Sequence, residues 1–243
     1  MLIPFDDAYR SVLDVAGPML QERGLPAVFF LSSEVVSGDK LMLDNLINYL
    51  ANQVGIEELE SAITGEPPKQ PNVPRLIENI VAKLPYTRRS KLGDELTDHF
   101  SIDSRALCKE ANMYLNEDDI LRLIEAGFDL GCHTASHAHC GALDATGAEV
   151  EIRQTKLDLE RMSGQNVRAF SFPYAEKPSD EALQSIRASG FQADFQVGSR
   201  ANPRNQKGPT WYRMPTYNIT DPESFFVNVE VLPRLRALRH ALS

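Results

Sequence analysis

Short apolar runs alternating with amphipathic helices restrict the fold of this chain more than any other feature. Leu2 to Phe5 is apolar and ends in Asp6 and Asp7. Ser11 to Arg23 then places Val12, Leu13, Val15, Ala16, Met19 and Leu20 at helical spacing, and Gly24 supplies the stop. Ala27 to Leu31 has the length and the β-branched and aromatic content of a buried strand. Strand, helix, strand in that order predicts a parallel βαβ unit with its helices outside. The pattern resumes after residue 115. Asn116 caps a helix with an acidic first turn, and Ala126 to Leu130 reads as a short strand. Helices over 148–163 and 179–190 alternate with strands over 167–172 and 191–197. A final helix runs from Asp221 through Phe225, Val229, Leu232 and Leu235 to His240.

Residues 38–115 break the alternation. Leu41, Leu43, Leu46, Ile47 and Leu50 mark an amphipathic helix over 41–53, and the Pro-rich stretch 65–74 cannot continue it. Residues 75–84 and 90–113 look helical again, with no strand pattern and no catalytic cluster. The block reads as a helical insertion between early strands. It covers the sheet, shapes a substrate groove or packs on a second subunit as a homo-oligomer contact.

Chemistry concentrates in Gly131–Cys140, GCHTASHAHC, which holds three of the five histidines. His133 and His137 are four apart, so on one turn of helix their rings share a face, roughly 5–6 Å apart at Cβ. Both can then reach one metal ion, whose bonds to nitrogen are about 2 Å. Asp6 and Asp7 lie at another strand end, where neighbouring side chains point to opposite sides. They either cap the helix that follows, or one ligates a metal while the other faces a water. One carboxylate and two histidines are a ligand set of catalytic zinc, with a position left open. A metal lowers the pKa of water to about 7, and a nearby carboxylate can take the proton.

At this point the chain resembles the NodB-homology polysaccharide deacetylases, carbohydrate esterase family 4. Phe5-Asp6-Asp7-Ala8 is similar to that family's T-F-D-D-G, and His133-Thr134-Ala135-Ser136-His137 to its H-[ST]-x-x-H. Ala169-Phe-Ser-Phe-Pro-Tyr174 is similar to its third motif, and Gly190-Phe191 and Tyr212-Arg-Met-Pro215 to later segments. The resemblance implies an α/β fold, a distorted (β/α)7 barrel, with residues 1–243 as one domain and the helical insertion at about 38–115. It implies a hydrolase that removes N-acetyl groups from an N-acetylated sugar or polysaccharide. Asp7, His133 and His137 would hold Zn²⁺, or Co²⁺, Ni²⁺ or Mn²⁺. Asp6 would be the base, the Tyr174 N–H would donate to the oxyanion, and Pro173, Trp211 and Tyr212 would line the substrate side. Ser171 and Phe172 stand where many members carry an arginine that orients the base, so Arg213 is the candidate to supply that charge. The family's general acid comes from a Leu-x-His segment near the C-terminus, and His139 does not match it. O-acetyl ester hydrolysis, or a catalytically weak or inactive sugar-binding protein on the same fold, is the alternative.

Composition adds exclusions. A formal charge of −9 argues against nucleic acid as a partner. No apolar run approaches the ~20 residues of a membrane span, and no signal peptide precedes the first strand, which points to the cytoplasm unless an upstream segment is missing. Cys108, Cys132 and Cys140 read as reduced structural thiols, with a thiolate ligand from Cys132 or Cys140 as the minor alternative. The polar connection 198–209, with Arg200, Arg204 and Lys207, is either solvated or a seat for an anionic sugar substituent. Residues 211–215 read as an aromatic-rich loop, lining a groove or packed.

Overall fold

The structure, a computed structural model, describes residues 2–36, 38–174, 178–198, 202 and 208–213. Among them six strands form one sheet: β1 (Ile3–Phe5), β2 (Ala27–Leu31), β3 (Asp129–Cys132), β4 (Ala169–Ser171), β5 (Ala193–Val197) and β6 (Thr210–Arg213). Each pairs in parallel with the next in sequence. Strands paired at about 4.8 Å would put β1 and β6 roughly 24 Å apart in a flat sheet. Yet Arg213, at the end of β6, contacts Asp6, just past β1, at 2.6 Å. The sheet therefore curls into a half-barrel, the α/β architecture expected of a distorted (β/α) barrel. The expected final helix over 221–240 lies outside the described residues, as do Arg200, Arg204, Lys207, Met214 and Pro215.

Both faces of the sheet are apolar, as buried parallel strands require. Phe29 stacks on Phe5 and meets Phe128 edge-on, whereas Phe30, its neighbour in β2, packs on Phe195 across the curl. Gly131 in β3 has a steric reason: a Cβ there would lie 2.3 Å from the Phe30 ring.

After β1, a π-helical segment (Val12–Ala16) runs into α1 (Gly17–Glu22). The β2–β3 connection carries α2 (Ser33–Val36), α3 (Leu43–Val54), α4 (Ile56–Thr64), α5 (Val73–Asn79), α6 (Tyr86–His99), α7 (Ser104–Ala111) and α8 (Glu117–Glu125). The sequence reading missed α4, although Ile56, Leu59 and Ile63 have helical spacing. It also merged α6 and α7, which part at Ser101, a residue at φ 54 that an α-helix cannot contain. Leu46, Ile47, Leu50, Leu59, Leu76, Val81, Leu92 and Leu96 give these helices an apolar core of their own, next to the one under the sheet. α8 begins as expected, with a reciprocal capping box between Asn116 and Asp119. Between β3 and β4 lie α9 (Ala145–Ala148), a π-helical segment (Glu149–Gln154) and α10 (Thr155–Ser163); α11 (Asp180–Ala188), capped by Ser179, joins β4 to β5. Among the described residues no helix is long and apolar enough to cross a membrane.

Candidate active site

The C-terminal ends of β1, β3, β4 and β6 deliver the site, the edge at which chemistry gathers in (β/α) barrels. After β1 the chain turns through Asp7 and Ala8, at φ 76 and 63. The Ala8 carbonyl accepts from Leu115 N at 2.9 Å, and Arg10 N donates to Met113 at 2.8 Å. This turn answers the capping alternative: Asp6 and Asp7 precede the first helical segment by several residues and point into the site.

The segment 133–139 is a loop rather than the expected turn of helix. Thr134 and His137 sit at φ 63 and 57, which no helix tolerates in succession. Its polar groups are satisfied from elsewhere. Buried Glu151 accepts from Ala135 N and Ser136 N, both at 2.9 Å, and from Ser136 Oγ at 2.7 Å. Ala138 N donates to Thr134 Oγ1 at 2.9 Å. The two imidazoles still meet, 5.1 Å apart at their centroids.

Asp7, His133 and His137 converge, each offering one ligand atom, all within 4.8 Å of one another. Asp7 Oδ1 lies 3.4 Å from His133 Nε2 and 3.3 Å from His137 Nε2. That oxygen is buried and makes no well-aligned hydrogen bond, a costly state that a bound cation would relieve. Each histidine uses its other nitrogen outward: His133 Nδ1 bonds the Ser171 carbonyl at 2.8 Å, and His137 Nδ1 the Tyr174 hydroxyl at 3.1 Å. Both Nε2 lone pairs are thereby aimed at Asp7, the arrangement seen around ligating histidines. A divalent cation fits this donor set.

The electrostatics agree. Burial pushes the Asp7 carboxyl up, but the His133 and His137 rings and the Arg213 guanidinium outweigh it and hold the group low. Burial holds His137 down at about 4, leaving it the neutral imidazole that can ligate. Burial also lowers His133, but the Asp6 and Asp7 carboxylates pull it up further. The same pull acts on any cation placed among these atoms.

Asp6 stands beside the cluster, its Oδ2 3.8 Å from His133 Nε2. Arg213 Nη1 lies 2.6 and 2.5 Å from its two oxygens. Tyr174 follows buried Pro173 at φ 58, so its backbone turns sharply at the end of β4. Trp211 and Tyr212 are half-buried strand residues of β6, correcting the loop expected there, because Asn202 holds both backbone groups of Tyr212 in extended form. On a strand, Tyr212 faces away from Arg213 while Trp211 shares its side. Cys132 and Cys140 are buried thiols outside the ligand cluster. Burial pushes the Cys132 thiol far up, against a thiolate there.

Two residues escaped the sequence reading, both in the helical stretch where no catalytic cluster was expected. Asp44 of α3 accepts a hydrogen bond from the Tyr174 hydroxyl, and Arg89 of α6, buried, donates to the His137 carbonyl at 3.1 Å. A cavity of about 410 Å³ opens beside Asp44, between α3, α5, His139 and Tyr174. Nothing in the sequence marked Asp44 or Arg89; each is one charged residue among many on an amphipathic helix.

The profile of the family described as Polysaccharide deacetylase matches residues 97–193, which include His133, His137 and Tyr174 but not Asp6, Asp7 or Arg213. That match spans 97 of the 243 residues, and over them the chain is similar to this family. Among solved structures it is similar to the deacetylase PplD of Streptococcus pyogenes in complex with acetate, at 12% identity and TM-score 0.58, over 93% of this chain and 69% of that one. IcaB from Ammonifex degensii is 16% identical with TM-score 0.54, over 96% and 72% of the two chains. A de-N-acetylase from Aggregatibacter actinomycetemcomitans is 15% identical with TM-score 0.55, over 92% and 72%. At such identities these likenesses establish the shared fold. No curated protein sequence matches.

Proposed function

We propose that this chain is a polysaccharide deacetylase, a metal-dependent amidase that removes acetyl groups from an N-acetylated sugar or polysaccharide, with residues 1–243 acting as one domain. The observation that carries the reading is Asp7 Oδ1, buried and poorly bonded between two imidazole nitrogens at 3.3 and 3.4 Å. Asp7, His133 and His137 are the residues that would hold the ion. A divalent ion in this place supplies Lewis acidity, acidifying water and polarising an amide carbonyl.

The chain's own residues do the rest. Asp6 takes the proton of the attacking water, and Arg213 aims its carboxylate from β6. This two-point grip takes the place of the arginine absent at Ser171 and Phe172. The Tyr174 backbone N–H donates to the oxygen that becomes negative, a contact worth ~10²–10³ in rate. With the proton in hand, Asp6 is placed to return it to the departing amine. Pro173 and Trp211 border the substrate side; Tyr212 is held away from it by strand alternation.

Zinc suits two imidazoles and a carboxylate, and cobalt, nickel and manganese accept the same donors. Acetate release from N-acetylglucosamine oligomers, measured with and without added zinc, tests the reading. Wild type should release acetate, chelator should abolish it, and Asp6→Asn should lose ~10²–10⁴-fold while keeping its metal. Equal release by wild type and Asp6→Asn would remove Asp6 as the base. Release from an O-acetylated sugar alone would reassign the bond cleaved.

A further inference from the structure

His137 is held from two sides by the helices between β2 and β3. Arg89 of α6 donates to its backbone carbonyl at 3.1 Å and to Ser136 Oγ at 3.3 Å. α3 reaches its ring: the Tyr174 hydroxyl donates to Asp44 Oδ2 and sits 3.1 Å from His137 Nδ1, and Asp44 Oδ2 is itself 3.8 Å from that nitrogen. A phenol has a single hydrogen. Once it is given to Asp44, the phenol oxygen can only accept, so His137 Nδ1 must carry a proton. A neutral imidazole has one N–H, so the lone pair falls on Nε2, the atom 3.3 Å from Asp7 Oδ1.

Each part of this chain of bonds is braced. The Tyr174 ring lies flat on His139, centroids 3.6 Å apart and planes 8° from parallel, which stops the phenol rotating away. α3 is anchored next to Asp44 by Asn45, whose Nδ2 donates to Tyr114 Oη at 2.6 Å and Tyr9 Oη at 3.0 Å. Tyr9 belongs to the same turn as Asp7, so the helix is indexed to the carboxylate ligand as well.

We propose that Asp44 and Tyr174, through its side chain, are positioning residues of the metal centre: the Asp44–Tyr174–His137 chain fixes the tautomer and ring plane of His137. The helical stretch between β2 and β3 thereby sets the affinity of the site for its ion. This rests on Asp7, His133 and His137 being the ligands, and it gives Tyr174 a second task, separate from its backbone N–H. His133 needs no such device, because a strand carbonyl, Ser171 O, already fixes its tautomer.

The test is zinc affinity of the metal-stripped full chain, by competition with a chelating dye, for wild type, Tyr174→Phe, Asp44→Ala and the double variant. Tyr174→Phe keeps the ring on His139, the backbone N–H and the Asp44 charge. Each single variant should bind zinc ~10–100-fold more weakly, with the melting temperature of the metal-free protein unchanged. The double variant should be no weaker than the worse single, since both break one chain. With cobalt bound, the visible spectrum of Tyr174→Phe should shift as the ring turns. Single variants within twofold of wild type, or losses that add in full, would overturn the inference while leaving the metal reading intact. A wild type that binds no zinc would overturn both.

Discussion

Two regions of this molecule meet at one imidazole and contribute differently. The strand ends bring Asp6, Asp7, His133 and Arg213, whose charged or ligating atoms lie within 3.8 Å of one another in sequence-distant pairs. The helices between β2 and β3 bring Asp44 and Arg89, which contact the loop and its neighbours from behind. The first set is recognisable as a motif because chemistry dictates residue type and spacing. The second is not, because a brace needs only a correctly placed acceptor or donor, which many positions on many helices could supply. Groups that react are constrained in kind, and groups that hold them are constrained in place.

The comparison can be broken by separating the two regions energetically. Leu50 is fully buried in the helical core. Leu50→Ala should cost ~2–5 kcal/mol in denaturant unfolding and leave a single transition, because α3 is bonded to the turn after β1. A helical region that melted first, with the sheet intact, would show that the brace and the strands are separate units. A smaller effect is expected at Glu151, one carboxylate accepting three bonds from the 134–136 loop. Glu151→Gln should destabilise by ~1.5–3 kcal/mol and weaken zinc binding, measured by melting and by dye competition. Unchanged zinc affinity would mean the loop keeps its shape without this anchor. The smallest effect belongs to Ala8, buried at φ 63. Ala8→Gly relieves ~1–2 kcal/mol of left-handed strain but loses about 0.8 kcal/mol of buried methyl and ~0.5–1 kcal/mol of chain entropy. Stability should stay within about 1 kcal/mol of wild type by chemical denaturation.

The strands and the helices flanking them were legible because period and length separate them: Ala27–Leu31 agrees with β2 to the residue. Ala126–Leu130, by contrast, is displaced from β3 at Asp129–Cys132, since Gly127, at φ 86, still belongs to the helix exit. The expected single helix over 148–163 starts earlier, at the Asp144 cap, and passes through a π-helical segment that periodicity does not register. His133 and His137 were found by spacing on a helix that does not exist. Loop and helix both bring residues four apart together, so the pairing survived the error while the backbone did not.

What the order of residues determined by itself is local and chemical. Alternating apolar periods specify strands and helices, and two carboxylates and two imidazoles after strand-like runs mark a candidate cation site. Only the folded chain decided which helix stands behind which imidazole. Asp44 and Tyr174 are separated by 130 residues, and no local preference links them. Their bond exists because the packing of α3 against Tyr9 and Tyr114, and the sharp turn at Tyr174, leave one carboxylate and one phenol facing each other beside His137.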